Sequence, residues 1–258
     1  MRLLDTVALV TGASRGIGAA VAAEYARQGA AVAVNHPPTA DMRKLAEGVV
    51  DEITAGGGRA ISVEADVAVR TEVDAMVQTV REQLGPVRVL VANAAWSQRR
   101  VWHEISDADW DHMLAVNLRG VFHCARAVHP GMVAAGGGAI VTVGSVMSEL
   151  GLPGALHYVA AKAGVVGFTR ALAREVGSQG IRVNCVLPGA IRTEHELETG
   201  VDQRELAAAA AARQALPRRG LPADLVGAFV FLAAAESGFI TGQVLSVDGG
   251  WTTVTSAG

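Results

Sequence analysis

The chain has 258 residues, 50% of them hydrophobic and 18% charged, with a net charge of −3 and a pI near 6.2. That much apolar surface can build a substantial core, which excludes a disordered or fibrous protein. The slight acidity, with arginines interleaved among acids, gives no footprint for nucleic acid.

Residues 6–12, TVALVTG, predict a buried strand, and 17–30 carries helical periodicity closed by Gly29. AVAVN at 31–35 predicts the next strand, and an amphipathic helix over 41–55 stops at three glycines, 56–58. Strands are predicted at 59–67 and 88–95, separated by a helix over 70–84. One long helix over about 107–134 leads to a strand at 139–145, and a helix over about 156–178 leads to a strand at 181–189. Six alanines at 207–212, flanked by charged residues, predict a helix with a small-residue face. A last helix over about 222–235 precedes a strand at 243–250. The strands are apolar throughout rather than alternating, and helices separate nearly all of them. This predicts an α/β, doubly wound, Rossmann-like seven-stranded parallel sheet with helices on both faces. No linker interrupts the alternation, so residues 1–258 are expected to form a single domain.

Asp5 in the first apolar stretch argues against a secretory leader. Every stretch of spanning length holds glycine clusters or hydroxyl residues, so no membrane contact is expected and the cytoplasm is the default compartment. Cys124 and Cys185 sit in apolar segments and predict buried thiols; no CxxC spacing points to a metal.

The first strand runs into TGASRGIG, residues 11–18. Gly12, Gly16 and Gly18 allow a sharp turn and a close approach to a pyrophosphate, with helix-terminal N–H groups aimed at the anion. Ser14, Arg15 and Ile17 fill the loop between them. The spacing is G-x-x-x-G-x-G, not G-x-G-x-x-G, and its place on the first strand of a doubly wound sheet predicts nucleotide binding.

Residues 157–164 read HYVAAKAG. The chain holds 22 basic residues, yet only Lys44 and Lys162 are lysines, and only Tyr25 and Tyr158 are tyrosines. On a helix, positions 158 and 162 share one face one turn apart. A nearby ammonium favours the phenolate, so Lys162 is expected to lower the proton affinity of Tyr158, which for a free phenol is about 10 in pKa. Ser145 ends the fifth strand, where open α/β sheets place their ligands. Taken singly, these residues read as packing, a solvated charge and a turn; their S-x₁₂-Y-x₃-K spacing downstream of a nucleotide loop reads as a catalytic set.

The ordered series TGASRGIG, Asp66, ANAA at 92–95, Asn117, Ser145, Tyr158, Lys162 and Pro188-Gly189 resembles the short-chain dehydrogenase/reductases over essentially the whole chain. The resemblance implies that Tyr158 is the general acid/base, Ser145 polarises the substrate oxygen, and Lys162 tunes Tyr158 and holds the nicotinamide ribose. It implies that Asn117 shapes its helix and a water relay to Lys162. On the cofactor side it implies adenine contacts from Asp66 and Val67, and a loop carrying Asn93 and Ala94 over the adenosine. Ile191 and Thr193, after Pro188 and Gly189, match contacts to the carboxamide. The family's usual NNAG is ANAA here, and an alanine in place of its last glycine restricts the backbone.

The implied reaction interconverts a ketone and a secondary alcohol, as a carbonyl or 3-oxoacyl-type ketoreductase. One alternative is an NAD-linked alcohol dehydrogenase working oxidatively. Another is a nicotinamide-binding sensor or scaffold, which would be expected to lose Ser145, Tyr158 or Lys162; all three are kept. The family resemblance also implies a homotetramer (or homodimer) built through the helices carrying Asn117 and Tyr158 and the C-terminal segment. The residue ending the second strand reads the adenosine ribose in this fold. His36 matches that position, so no acid repels a 2′-phosphate, while Arg15 is placed to pair with it and Asn35 to donate to it. NADP(H) is therefore favoured over NAD(H). Residues 193–215 resemble the family's mobile lid. Trp96, Met147, Leu152 and His157 lie near positions that face the substrate in relatives, and each is equally readable as packing.

Overall fold

The computed structural model describes residues 1–198 and 202–253. The apolar runs form seven strands: β1 (Val7–Val10), β2 (Ala31–His36), β3 (Arg59–Glu64), β4 (Val89–Ala92), β5 (Gly138–Val143), β6 (Ile181–Pro188) and β7 (Val244–Val247). They make one sheet in the order β3-β2-β1-β4-β5-β6-β7, with every neighbouring pair parallel. The strand order reverses between β1 and β4, and such a reversal opens a crevice at the carboxyl ends of the strands.

Helices α1 (Gly16–Arg27), α2 (Ala40–Ala55), α3 (Arg70–Gln83), α4 (Asp107–Leu114), α5 (Gly120–Ala134), α6 (Met147–Leu150), α7 (Leu156–Val176), α8 (Glu194–Glu198), α9 (Gln203–Arg213) and α10 (Pro222–Ala233) complete the chain. Within β1, Ala8 and Val10 pack under α1, α2 and α10, whereas Leu9 packs under α3, α5 and α7. Both faces of the strand are buried, which is why its sequence is continuous rather than alternating. Tyr25 of α1 is fully buried, and its hydroxyl donates to the Phe229 carbonyl of α10 at 2.9 Å, clamping the two helices. Cys124 and Cys185 are buried free thiols, as their apolar settings predict.

Several boundaries differ from the sequence expectation, strands β4 and β7 each ending three residues early. The long helix predicted over about 107–134 is interrupted by a π turn at Ala115–Arg119. Its cause lies in Asn117, whose Nδ2 donates to the Met113 carbonyl at 3.1 Å and to the Trp96 carbonyl outside the helix at 2.8 Å. A side chain inserted into the ladder widens it locally, and π turns gather at functional sites for that reason. The predicted strand 59–67 ends at Glu64, because Asp66 opens a turn by accepting the Ala68 N–H at 2.9 Å. The short helix α6 carries no sequence signal of sufficient length to announce it.

Residues 193–215 hold α8 and α9, and the alanine run lies within α9 as expected. Residues 199–201 of that segment and the tail 254–258 lie outside the described residues. Among the described residues, no helix is long and apolar enough to cross a membrane.

Candidate active site

The glycine loop occupies the crevice between β1 and β4. Gly12 has a φ of +59°, and a Cβ there would stand 2.7 Å from Ala94 Cα. A Cβ on Gly18 would stand 2.4 Å from the Gly12 carbonyl oxygen, so α1 can meet the loop only through glycine. Asn93 staples the loop from the β4 side, its Nδ2 donating to the carbonyls of Thr11 and Gly12 at 2.9 and 3.0 Å. Ala95 stands where the family has glycine and is not among the residues with positive φ, so alanine is accommodated without strain.

Asn35 requires a correction. It was expected to donate to a 2′-phosphate, but its side chain is buried and committed to the loop. Its Oδ1 accepts the Gly12 N–H at 3.1 Å, and its Nδ2 donates to the Ala65 carbonyl at 3.1 Å and the Val63 carbonyl at 3.3 Å. It therefore shapes the phosphate loop rather than reaching a ligand. His36 is buried too, and its Nδ1 donates to the Pro37 carbonyl at 2.8 Å. An acid nevertheless arrives beside it: β3 aligns Glu64 with His36, and Arg43 binds that carboxylate at 2.6 Å. Arg43 holds the Glu64 carboxyl below the usual carboxylate range, with His36 adding a smaller contribution. Strand register brings this pair together, and the residues nearest His36 in sequence do not announce it.

Ser14 is buried with its hydroxyl on the Met42 sulfur at 3.5 Å. Ile17 packs partly buried under the core beneath α1. Arg15 sits at the N-cap of α1 and supplies no side-chain cap to it, and the first turn holds no acid. Gly16, at φ +60°, donates its N–H to a Glu194 carboxylate oxygen at 3.1 Å. That carboxylate meets a donor which the helix itself leaves unpaired. Thr193 Cγ2 lies 3.4 Å from the position of a Gly16 Cβ. Gly189 packs so closely on the β7 end that a Cβ would stand 2.6 Å from Asp248 Cα, and Ile191 bridges to Gly220. Pro188 ends β6, and its carbonyl accepts the Val146 N–H at 3.3 Å. Val67 is buried against Gly120, so its side chain is committed to packing.

The Ser–Tyr–Lys set converges at the ends of β5 and β6. Ser145 is buried just beyond β5 and accepts the Met147 N–H at 3.2 Å. Lys162 is 2% exposed, and its ammonium donates to the Val143 carbonyl at 2.8 Å, 5.7 Å from the Tyr158 ring centre. Burial lowers its pKa to about 8, and neighbouring Cys185 opposes that shift. The expected lowering of the Tyr158 pKa is reversed: burial raises it, and the Ser145 hydroxyl opposes that shift. Desolvation of the phenolate outweighs the charge on an amine that is itself desolvated and turned to a backbone carbonyl. Asn117 is fully buried, and its Oδ1 has no protein hydrogen-bond partner.

On the substrate side, Trp96 is half-buried and stacks edge-on to His112 with ring centres 4.7 Å apart. Met147 and Leu152 are also half-buried. His157, expected to face substrate, is instead fully buried; its Nε2 donates to Gln98 Oε1 at 3.2 Å, and burial lowers its pKa. Gln98 in turn donates to Asp109 at 3.1 Å, so His157 props the loop after β4 rather than lining the site.

The model of a family described as enoyl-(acyl carrier protein) reductase matches residues 12–252. The chain belongs to the short-chain dehydrogenase/reductases, the class of NAD(P)-dependent oxidoreductases that this sheet order, glycine loop and Ser–Tyr–Lys set define. Over 243 residues it is 40% identical to the 3-oxoacyl-(acyl-carrier-protein) reductase FabG of Staphylococcus aureus, covering 94% of this chain and 96% of that protein. Over 250 residues it is 41% identical to the hydroxy(phenyl)methylsuccinyl-CoA dehydrogenase subunit BbsD of Thauera aromatica, covering 97% and 98% of the two. A blue fluorescent protein from a metagenomic library, solved in complex with NADPH, superposes with a TM-score of 0.89 at 36% identity, covering 97% of this chain and 99% of that one.

The buried Lys162 makes stability depend on pH. Below about pH 8 both states hold the proton, and the folded protein carries the full cost of burying the ammonium. Between about 8 and the ordinary 10.5, only the unfolded chain keeps it, so stability rises with pH. The shift corresponds to about 3 kcal/mol. Wild-type denaturation midpoints, measured from about pH 7 to 10, are therefore expected to climb relative to Lys162→Met; parallel curves for the two proteins would contradict this.

Proposed function

We propose that the protein uses NADPH to reduce the ketone of a 3-oxoacyl thioester or a closely related carbonyl compound. The observation that carries this reading is the buried Lys162 ammonium, 2.8 Å from the Val143 carbonyl and 5.7 Å from the Tyr158 ring centre, with the buried Ser145 just beyond the same strand. A serine and a tyrosine hydroxyl offered together suit an oxygen that becomes a hydroxyl in the reaction, which favours a ketone over the carbon–carbon double bond of an enoyl substrate. The FabG and BbsD relatives act, by their names, on acyl-carrier and CoA thioesters, which supports the thioester class.

When bound, NADPH supplies the hydride to the carbonyl carbon. Ser145 and Tyr158 hold the carbonyl oxygen, and as that oxygen gains charge Tyr158 gives it the phenolic proton. A phenol with a raised pKa stays protonated at neutral pH, which is the form this direction needs. The reverse reaction needs the phenolate as base, so oxidation is expected to gain from alkaline pH more than reduction does. Lys162, which donates to the Val143 carbonyl, is proposed to bond the nicotinamide ribose as well, and the Asn117 Oδ1, without a protein partner, is proposed to accept from a relay water.

The cofactor fits the residues present. The loop accepts an anion on Gly16 N–H, its backbone is open where Gly12 and Gly18 lack side chains, and β2 ends in histidine rather than an acid. With Asn35 withdrawn, Arg15 is the proposed partner of the 2′-phosphate. The solved relative with bound NADPH supports the same choice. Residues 193–215 are proposed to cover the substrate.

A homotetramer or homodimer is proposed through the π turn, α5 and α7, where Leu114 at the end of α4, Leu118, Phe122 and Phe168 line an apolar groove and Phe122 is exposed. Light scattering is expected to give a mass near four or two chains of 26.6 kDa, and a single-chain mass would refute it.

Tyr158→Phe is expected to fold and to bind NADPH, while kcat/KM for ketone reduction falls about 10²–10⁴-fold. Near-normal turnover would remove Tyr158 from the acid role. Reduction rates with both cofactors are expected to give a higher kcat/KM for NADPH than for NADH, and the opposite order would overturn the cofactor assignment.

A further inference from the structure

The first four N–H groups of any α-helix lack partners within the helix. In α1 they receive no side-chain cap from Arg15 and no first-turn acid. The Gly16 N–H is met instead by Glu194, 178 residues further along the chain, at 3.1 Å. The backbone around Glu194 is anchored from behind. Arg192 N–H donates to the Gly220 carbonyl at 2.9 Å, Ile191 bridges to Gly220, and Arg219 joins Glu196 at 2.7 Å while its Nε donates to the Ala190 carbonyl at 3.0 Å. The segment thus reaches the glycine loop with its hinge held, and Glu194 and Thr193 come down on Gly16.

The geometry points to Glu194 as a residue that sets cofactor affinity by competing with the dinucleotide pyrophosphate for the N-terminus of α1. A carboxylate and a diphosphate need the same donors, and two anions cannot share them without strong repulsion. Binding of the dinucleotide therefore has to break the Glu194 contact and release the start of the 193–215 segment from the loop. Measured affinity is the intrinsic affinity reduced by the fraction of molecules in which Glu194 is seated. This inference rests on the dinucleotide reading of the loop.

The test is equilibrium titration of NADPH, followed by its fluorescence, into the purified full-length wild type, Glu194→Gln and Glu196→Gln. Glutamine at 194 keeps the size and removes the charge, so Kd is expected to fall about 3- to 20-fold, the span of a charge-assisted hydrogen bond to a helix end. Inorganic pyrophosphate, scored by its displacement of NADPH, is expected to gain in the same direction. Glu196→Gln breaks the Arg219 pair without touching Gly16, and its Kd is expected to stay within about twofold of wild type. Equal Kd values for wild type and Glu194→Gln, or weaker binding by the variant, overturn the competition while leaving the dinucleotide site standing. Tightening of the same size in Glu196→Gln also overturns it, because the gain then comes from loosening the segment. Absence of NADPH binding in all three proteins overturns the dinucleotide reading, and the competition with it.

Discussion

The contact between Gly12 and Ala94 governs everything built above the sheet. At the switch point the chain leaving β1 must pass within van der Waals reach of the chain leaving β4, and any side chain at residue 12 would occupy Ala94 backbone. Because that approach is made, Asn93 can reach two carbonyls of the loop and Asn35 can hold the loop from the opposite strand. The resulting turn aims the end of α1 across the carboxyl edge of the sheet. Ser145 and Gly189 lie on the same edge, beyond β5 and β6, so the glycine loop and the Ser145 hydroxyl share one base.

The site is built at the expense of ordinary stability rules. An ammonium is held almost completely out of water, a half-buried phenol is raised in pKa by desolvation, and an asparagine in a π turn keeps an unsatisfied buried oxygen. Each departure would be removed by a hydrophobic residue of similar size. Their concentration within a few residues of α7 and the π turn is what a functional site predicts, since perturbed groups gather where chemistry needs them.

Most of the architecture was legible in the chain because its signals are local. Continuous β-branched runs, glycine stops and 3.6-residue periodicity each act within one element, and the parallel doubly wound sheet follows from their alternation. The glycine loop and the Ser–Tyr–Lys spacing were legible for the same reason. What escaped depends on side-chain direction or on register. Asn35 and His36 were read as facing a ligand, but neighbouring residues on a strand point to opposite faces, and sequence alone does not say which face meets the cofactor. Glu64 enters the neighbourhood only because β3 pairs with β2 in one register. His157 adjoins Tyr158 in sequence yet turns inward to Gln98, as successive helical residues must diverge. The sign of the Tyr158 shift was misjudged because a spacing rule counts charge and leaves out desolvation.

The burial of Tyr25 has a practical corollary for spectroscopy. The chain has only two tyrosines, and the one sealed between α1 and α10 has its ionisation driven far above the usual range by desolvation. Tyr158 is also held above the ordinary phenol range by burial, so neither ring of the native protein is expected to ionise where a free phenol does. Tyrosinate absorbance that appears near an ordinary phenol pKa would thus be a label-free mark of the core opening to water.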